Sequence, residues 1–260
     1  MNKWFITCKV FDNEEQNLKC AIIIKHIVDE FDVLISNSPV LGFKTLEIIR
    51  DNYSGPTLYR PLHADFYRIG LNVSEVNYCQ IAFQFSQELC RIYCDPRINN
   101  WFIEILCHVM ALHSLNFLSK NWKKNPPNNQ LKDYWNNFDE YKSNLLKTAF
   151  SKVDMVRYQV ANEWVQYQVD KLQQRSAMNR GKLLLIANEL LPLFYESKQS
   201  WQILPFVGRS SVAPPPEDIN QLVTKRRTKP DFDKFVKNVP KQTLDFVYKL
   251  CSKLGAREFV

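Results

Sequence analysis

Two neighbouring stretches carry the residues whose types and spacing could do chemistry. The first reads Gln87-Glu88-Leu89-Cys90-Arg91, and the second places Glu104 four residues before His108. Residues four apart on a helix lie on the same face, so each pair could reach one ligand. Two histidines with this spacing and a glutamate directly after the first form a helix-borne zinc site, in which the glutamate is the general base. Here Glu88 holds the glutamate position, and Gln87 and Arg91 hold the two histidine positions.

The flanking residues extend the likeness beyond this pentad. They read Phe83-Gln84-Phe85-Ser86 before it, and Trp101-Phe102-Ile103-Glu104-Ile105-Leu106-Cys107-His108 after it. Together the two stretches resemble a bacterial family of zincin-like, metallopeptidase-like proteins. The family pattern is close to aromatic-Gln-Phe-x-His-Glu-x-Cys-His, followed by Trp-Phe-x-Glu-x-x-Cys-Glu. The match covers about 30 residues, and the preceding strand extends it over roughly 65–110.

The resemblance implies a role for each matched position. Glu88 would be a vestigial general base, and Gln87, Arg91 and Glu104 would be former ligand positions. A glutamine amide is a poor zinc ligand, and arginine stays protonated and cannot bind the metal. We therefore expect no metal at this site, and we expect the Arg91 guanidinium to take the place of the ion and pair with Glu88 or Glu104.

A relocated metal site remains an alternative. Glu104 and His108 share a helix face, and Cys90, Cys94 or Glu88 on the preceding helix could join them, in which case zinc would be the cofactor. The histidines His108 and His113 are five residues apart and would point in different directions. His26 has no ligand partner one helical turn away, so we interpret it as an ordinary surface histidine that is exposed or half-buried.

Three functions are compatible with these residues. The preferred one is a catalytically inactive, zincin-like pseudoenzyme that binds a protein or peptide partner, with the partner pairing along an edge strand at 66–73. The second is a metal-dependent peptidase with non-standard ligands. The third is a nucleic-acid-binding protein that uses the basic residues Lys225, Arg226, Arg227 and Lys229. No G-x-S-x-G motif or phosphate-binding glycine loop points to another reaction.

Composition places the chain in the globular class. It has 260 residues, a net charge of +7 and 45% hydrophobic residues, so a large core is expected and an anionic partner is favoured. Its seven cysteines show no CxxC spacing, which indicates neither a disulfide framework nor a zinc ribbon and favours a reducing compartment. We find no signal peptide and no membrane-spanning run, so a cytoplasmic location and no contact with membranes are expected.

The fold class expected is α+β and predominantly helical, with a small sheet in the first 80 residues and a buried active-site-type helix. The predicted domains are a zincin-like domain at 1–212, a Pro-rich basic linker at 213–230 and a C-terminal helical appendage at 231–260. Periodicity and capping residues predict the following elements. They are a helix from about 12 to 31, a strand at 33–35, a helical or mixed segment at 45–50, the strand at 66–73, helices at 76–93, 101–118, 131–150, 153–174 and 181–196, an ordered loop at 197–212, and a helix at 231–254.

Overall fold

Helices make up most of this α+β protein, and a small mixed sheet lies near its N-terminus. The computed structural model describes residues 4–35, 44–52, 55–59, 66–153, 161–174, 179–211 and 226–256. The strands are β1 (Trp4–Lys9), β2 (Lys44–Arg50), β3 (Thr57–Leu58), β4 (Phe66–Leu71), β5 (Ile98–Asn99) and β6 (Arg226–Arg227). The α-helices are α1 (Glu14–Leu34), α2 (Tyr78–Cys94), α3 (Trp101–Lys124), α4 (Trp135–Phe150), α5 (Ala161–Gln174), α6 (Arg180–Glu196), α7 (Leu204–Arg209), α8 (Phe232–Asn238) and α9 (Leu244–Lys253). Within the described ranges, 3₁₀ turns cover Lys198–Ile203 and Lys241–Thr243.

The four-stranded sheet has the order β1-β2-β4-β3. Strands β1, β2 and β4 are parallel, and the short β3 is antiparallel to β4. The predicted strand at 66–73 is present as β4, but the prediction that it forms a sheet edge is wrong. It pairs with β2 along its whole length and with β3 through Ile69 and Gly70. Period-two alternation predicts a half-buried strand and gives no information on how many neighbours that strand has.

Two further predictions for the first 50 residues are wrong. Val33 and Leu34 belong to α1 rather than to a strand, because Leu34 lies on the same buried face as Phe31 and the helix continues to it. The segment Lys44–Arg50 is a strand rather than a helical or mixed segment, and it buries Leu46 and Ile48 alternately. Both errors concern short apolar runs, which periodicity does not assign securely to helix or strand.

Two C-terminal predictions also need correction. The predicted loop at 197–212 contains a 3₁₀ turn followed by α7, in which Pro205 occupies the first turn, where its missing N–H costs nothing. The predicted helix at 231–254 is two helices, α8 and α9, because Pro240 cannot continue α8. Residues 154–160 of the predicted helix at 153–174, residue 212 of the predicted loop and residues 213–225 of the predicted linker lie outside the described residues.

The helix pair α2 and α3 lies at the centre of the core. Both predicted helices are present, and α3 extends to Lys124. The same hydrophobic cluster includes side chains of α8 and α9, since the ring of Phe232 lies 5.2 Å from that of Phe102 and 5.9 Å from that of Trp101. Among the described residues, α3 alone is long and apolar enough to cross a membrane, but 83% of its most apolar window is buried inside the protein. Such burial is typical of the core helix of a globular protein.

Candidate functional site

The two central helices begin at well-formed caps. The Asn77 side chain accepts from the Gln80 N–H at 2.9 Å at the start of α2, and Asn100 accepts from the Ile103 N–H at 3.0 Å at the start of α3. Asn100 also donates to the Ser211 hydroxyl at 2.8 Å. The caps fix where each helix begins, and the bond to Ser211 holds the start of α3 against the end of α7.

A cavity of about 960 Å³ lies beside α2 and α3. One face of α2 supplies residues at helical spacing, α3 supplies two, and the other walls come from the C-terminal part of α4, the start of α6 and the ends of β3 and β4. The lining from α2 and α3 is Gln80, Phe83, Gln84, Gln87, Arg91, Glu104 and His108. Three of the positions named from the zincin-like motif therefore face one cavity together with His108.

Arg91 connects both carboxylates of the motif. Its Nε donates to Glu88 Oε1 at 3.1 Å, and its Nη2 donates to Glu104 Oε2 at 2.7 Å, with a second, shorter bond from Nη1 to Glu104 Oε1. The Arg91–Glu104 pair is thus bidentate, the strongest geometry for an arginine and a carboxylate. The prediction that Arg91 pairs with Glu88 or Glu104 is confirmed, and it pairs with both.

This ion-pair cluster is buried. Arg91 is 8% exposed and Glu88 is 0% exposed, and Glu88 Oε2 has no hydrogen-bond partner among the described residues. Burial alone would lower the pKa of Arg91, but the charges of Glu88 and Glu104 outweigh it and raise that pKa. Arg91 is therefore a permanent cation between two carboxylates that would otherwise be buried without a counter-charge.

Gln87 and His108 are left with unused hydrogen-bonding capacity at the cavity wall. Gln87 is 7% exposed, and its side-chain amide forms no hydrogen bond with any residue that the structure describes. His108 is 5% exposed, and its Nδ1 lies 2.8 Å from the Glu104 carbonyl oxygen, so Nδ1 donates and Nε2 is the acceptor in the neutral ring. Burial lowers the pKa of His108, which favours that neutral form.

The residues at this site do not fit a zinc ion. Arg91 places a guanidinium between the carboxylates where a metal would need them, and Gln87 offers only an amide. Across the described ranges, no group of three or more His, Cys, Asp or Glu side chains has an arrangement that could hold a metal. Cys90, proposed for a relocated site, lies away from the cavity lining, with its Sγ 4.0 Å from that of Cys94, and burial raises the pKa of its thiol.

The other candidate residues lie elsewhere. His113 points away from His108, as predicted, and its Nε2 lies 3.3 Å from Glu30 Oε1. His26 is half-buried, which agrees with the exposed or half-buried position expected for it, and its Nδ1 accepts from the Trp122 indole N–H at 3.2 Å. Of the basic run, Lys225 lies outside the described residues, Arg226 and Arg227 form β6, which pairs with β5, and Lys229 is exposed.

Sequence reasoning missed the far wall of the cavity. That wall includes Tyr141, Asn144 and Lys152 from α4 and the residues after it, and Arg180 and Gly181 from the start of α6. These positions lie 37 or more residues beyond Glu104, and no motif connects them with the pentad.

Comparison of this chain with protein-family models, with curated proteins and with solved structures found no match.

Proposed function

We propose that this chain is a non-catalytic, zincin-like protein whose cavity binds a peptide or a protein segment. One observation carries the proposal: Arg91 pairs with both Glu88 and Glu104 at the wall of a cavity that Gln87 and His108 also line. On this hypothesis the chain retains the cavity of a metallopeptidase, and the Arg91 guanidinium replaces the metal ion as the positive charge beside the two carboxylates.

The exchange of metal for arginine explains why two carboxylates persist in a buried position. An isolated buried carboxylate is very unfavourable, so each needs either a cation or a proton. Arg91 supplies the cation and, unlike Zn²⁺, cannot polarise a carbonyl or lower the pKa of a bound water. The site therefore retains its shape and charge balance and lacks the chemistry of hydrolysis.

The residues that line the cavity can form hydrogen bonds with the main-chain amides of a bound peptide. Side chains that carry amides line much of the cavity: Asn72, Gln80, Gln84, Gln87, Asn144 and Asn179. Gln80 and Gln84 bond with the main chain of Asn72, and Asn179 caps α6. The side chains of Gln87 and Asn144 form no hydrogen bond with any described residue, so their amides can donate to and accept from a peptide. The volume lies at the upper end of the roughly 300–1,000 Å³ typical of ligand sites. Gly55 and Pro56, just before the edge strand β3, also line it, so β3 replaces 66–73 as the strand next to which a peptide lies.

The test is peptide retention by native mass spectrometry, using a pool of short peptides of randomised sequence. Thr148 is exposed on α4 and lines the cavity, so Thr148→Trp blocks the site without disturbing the core. Ser143→Trp places the same ring on an exposed position of α4 outside the lining and serves as the matched control. We expect wild type and Ser143→Trp to retain peptides and Thr148→Trp to lose them.

Equal retention by Thr148→Trp and Ser143→Trp would overturn the proposed site. Chelator-sensitive hydrolysis of the same peptides, abolished by Glu88→Gln, would instead establish the metal-dependent peptidase. Nucleic-acid binding that weakens steeply with salt and disappears when 214–230 is deleted would establish the third function.

A further inference from the structure

The part of the cavity wall formed by the end of α4 and the start of α6 is basic. Helix α6 is 17 residues long and begins here, with Asn179 as its cap and Arg180 and Gly181 as its first residues. The Asn179 side chain accepts from the Lys182 N–H at 3.2 Å, so the cap leaves the first two helical N–H groups without an intrahelical acceptor. Lys152, exposed after α4, adds a second cation to this wall.

Helix N-termini favour anions because the free N–H groups and the helix dipole act together. The Gly181 N–H forms no hydrogen bond with any other residue that the structure describes, and it has no side chain to cover it. Among the described residues that line the cavity, Glu104 is the only carboxylate, and it is neutralised by its bidentate pair with Arg91. An anion at the start of α6 thus meets the two cations Arg180 and Lys152.

Two nearly buried polar groups of the same cavity point independently to a ligand. They are the unpartnered Gln87 amide and His108 Nε2, which is a hydrogen-bond acceptor in the neutral ring. After burial, which is the largest cause, the charge of Arg180 also lowers the pKa of His108, so the two residues lie within electrostatic reach of each other. A ligand that fits must therefore carry an anionic end and, beside it, an N–H donor.

We infer that the cavity captures the free C-terminal end of a peptide, with its carboxylate at the N-terminus of α6. The carboxylate accepts from the Gly181 N–H and is paired with Arg180 and Lys152, and the adjoining main-chain amides bond with Gln87 and His108. This inference rests on the proposed function and names its ligand. The dianion of a phosphate monoester meets the basic wall equally well but carries no proton to donate to His108 Nε2, whereas the main chain of a peptide supplies an N–H beside its carboxylate, so a peptide terminus is the better fit.

The experiment compares two peptide pools of identical randomised sequence, both N-acetylated, one ending in a free carboxylate and the other in a carboxamide. Binding of each pool is measured by native mass spectrometry for wild type, Lys152→Gln and Arg180→Gln. Lys147→Gln removes a positive charge from an exposed position of α4 outside the lining and is the control. Thermal unfolding of each variant verifies that it is folded.

We expect the carboxylate pool to bind about tenfold or more tightly than the carboxamide pool, as is typical of charge-assisted hydrogen bonds. Lys152→Gln and Arg180→Gln reduce that preference, and Lys147→Gln retains it. Equal binding of both pools, lost in Thr148→Trp, would refute the carboxylate site and leave the proposed function standing. Binding of neither pool would refute both the carboxylate site and the proposed function. Competition by inorganic phosphate at equal concentration would show that the basic wall binds anions in general, and it would refute the choice of a peptide terminus.

Discussion

A double variant that restores the missing histidines would test the interpretation of this site as a converted zinc site. In Gln87→His/Arg91→His, two imidazoles lie four residues apart on the cavity face of α2, opposite the carboxylate that now binds Arg91. With Glu104 as the third ligand, the arrangement matches that of a catalytic zinc site. We expect this variant to bind one Zn²⁺ per chain.

The burial of the ion-pair cluster sets how much stability the metal-free double variant loses. Removing Arg91 leaves Glu88, which is 0% exposed, and Glu104 without their shared cation. Breaking a buried pair from one side costs about 3–5 kcal/mol, and the two pairs are not additive because they share one guanidinium. The metal-free double variant should therefore lose about 3–5 kcal/mol of its free energy of unfolding. Zinc at ~1,000 times its dissociation constant would restore about 4 kcal/mol.

The assay is urea unfolding with and without zinc, together with elemental analysis after dialysis. Asn136→His/Glu140→His is the control, because it places two exposed histidines four apart on α4 without a carboxylate wall. The wild type should show no change in unfolding midpoint on addition of zinc. The interpretation fails if the Gln87/Arg91 double variant gains no more stability from zinc than this surface pair.

Three further predictions follow from other contacts. Protein purified without chelator or affinity metal should contain far less than one zinc per chain and unfold at the same temperature in a chelator; one tightly held zinc per chain would contradict this. Gly208→Ala should lower the free energy of unfolding by about 3 kcal/mol or more, because the alanine Cβ would lie 2.2 Å from the Cys94 carbonyl oxygen. The control is Gly181→Ala, whose Cβ would meet nothing closer than 3.3 Å and which should change that free energy little. Urea unfolding measures both. Burial lowers the pKa of His26, whose Nδ1 accepts from the Trp122 indole N–H, so the folded state resists protonation of this ring. The free energy of unfolding should therefore fall as the pH drops below the pKa of histidine in the unfolded chain, near 6.5. His26→Gln, which keeps an acceptor, should flatten the dependence of the urea midpoint between about pH 7.5 and 5.5, and an unchanged slope would refute the assignment.

Helix boundaries were predictable wherever capping residues and periodicity agreed. Asn100 caps α3 and Asp95-Pro96 ends α2, both within two residues of the expected positions, because these signals are local. The contact of Arg91 with Glu88 was also predictable, since the two lie one turn apart on the same helix.

Other features depend on residues far apart in the chain. The position of β4 inside the sheet depends on the pairing of Ile69 and Gly70 with β3, which no periodicity within 66–71 encodes. The basic wall of the cavity arises because α6 packs against α3 and α4 and brings Arg180 near His108, 72 residues earlier in the chain. The sequence alone thus determined which side chains form the pentad and that Gln87 and Arg91 are poor replacements for histidine ligands, because the ability to bind a metal depends on the type of residue. Only the tertiary structure decided which residues line the cavity together with Gln87 and Arg91, because packing between helices far apart in the chain sets the shape and charge of that cavity.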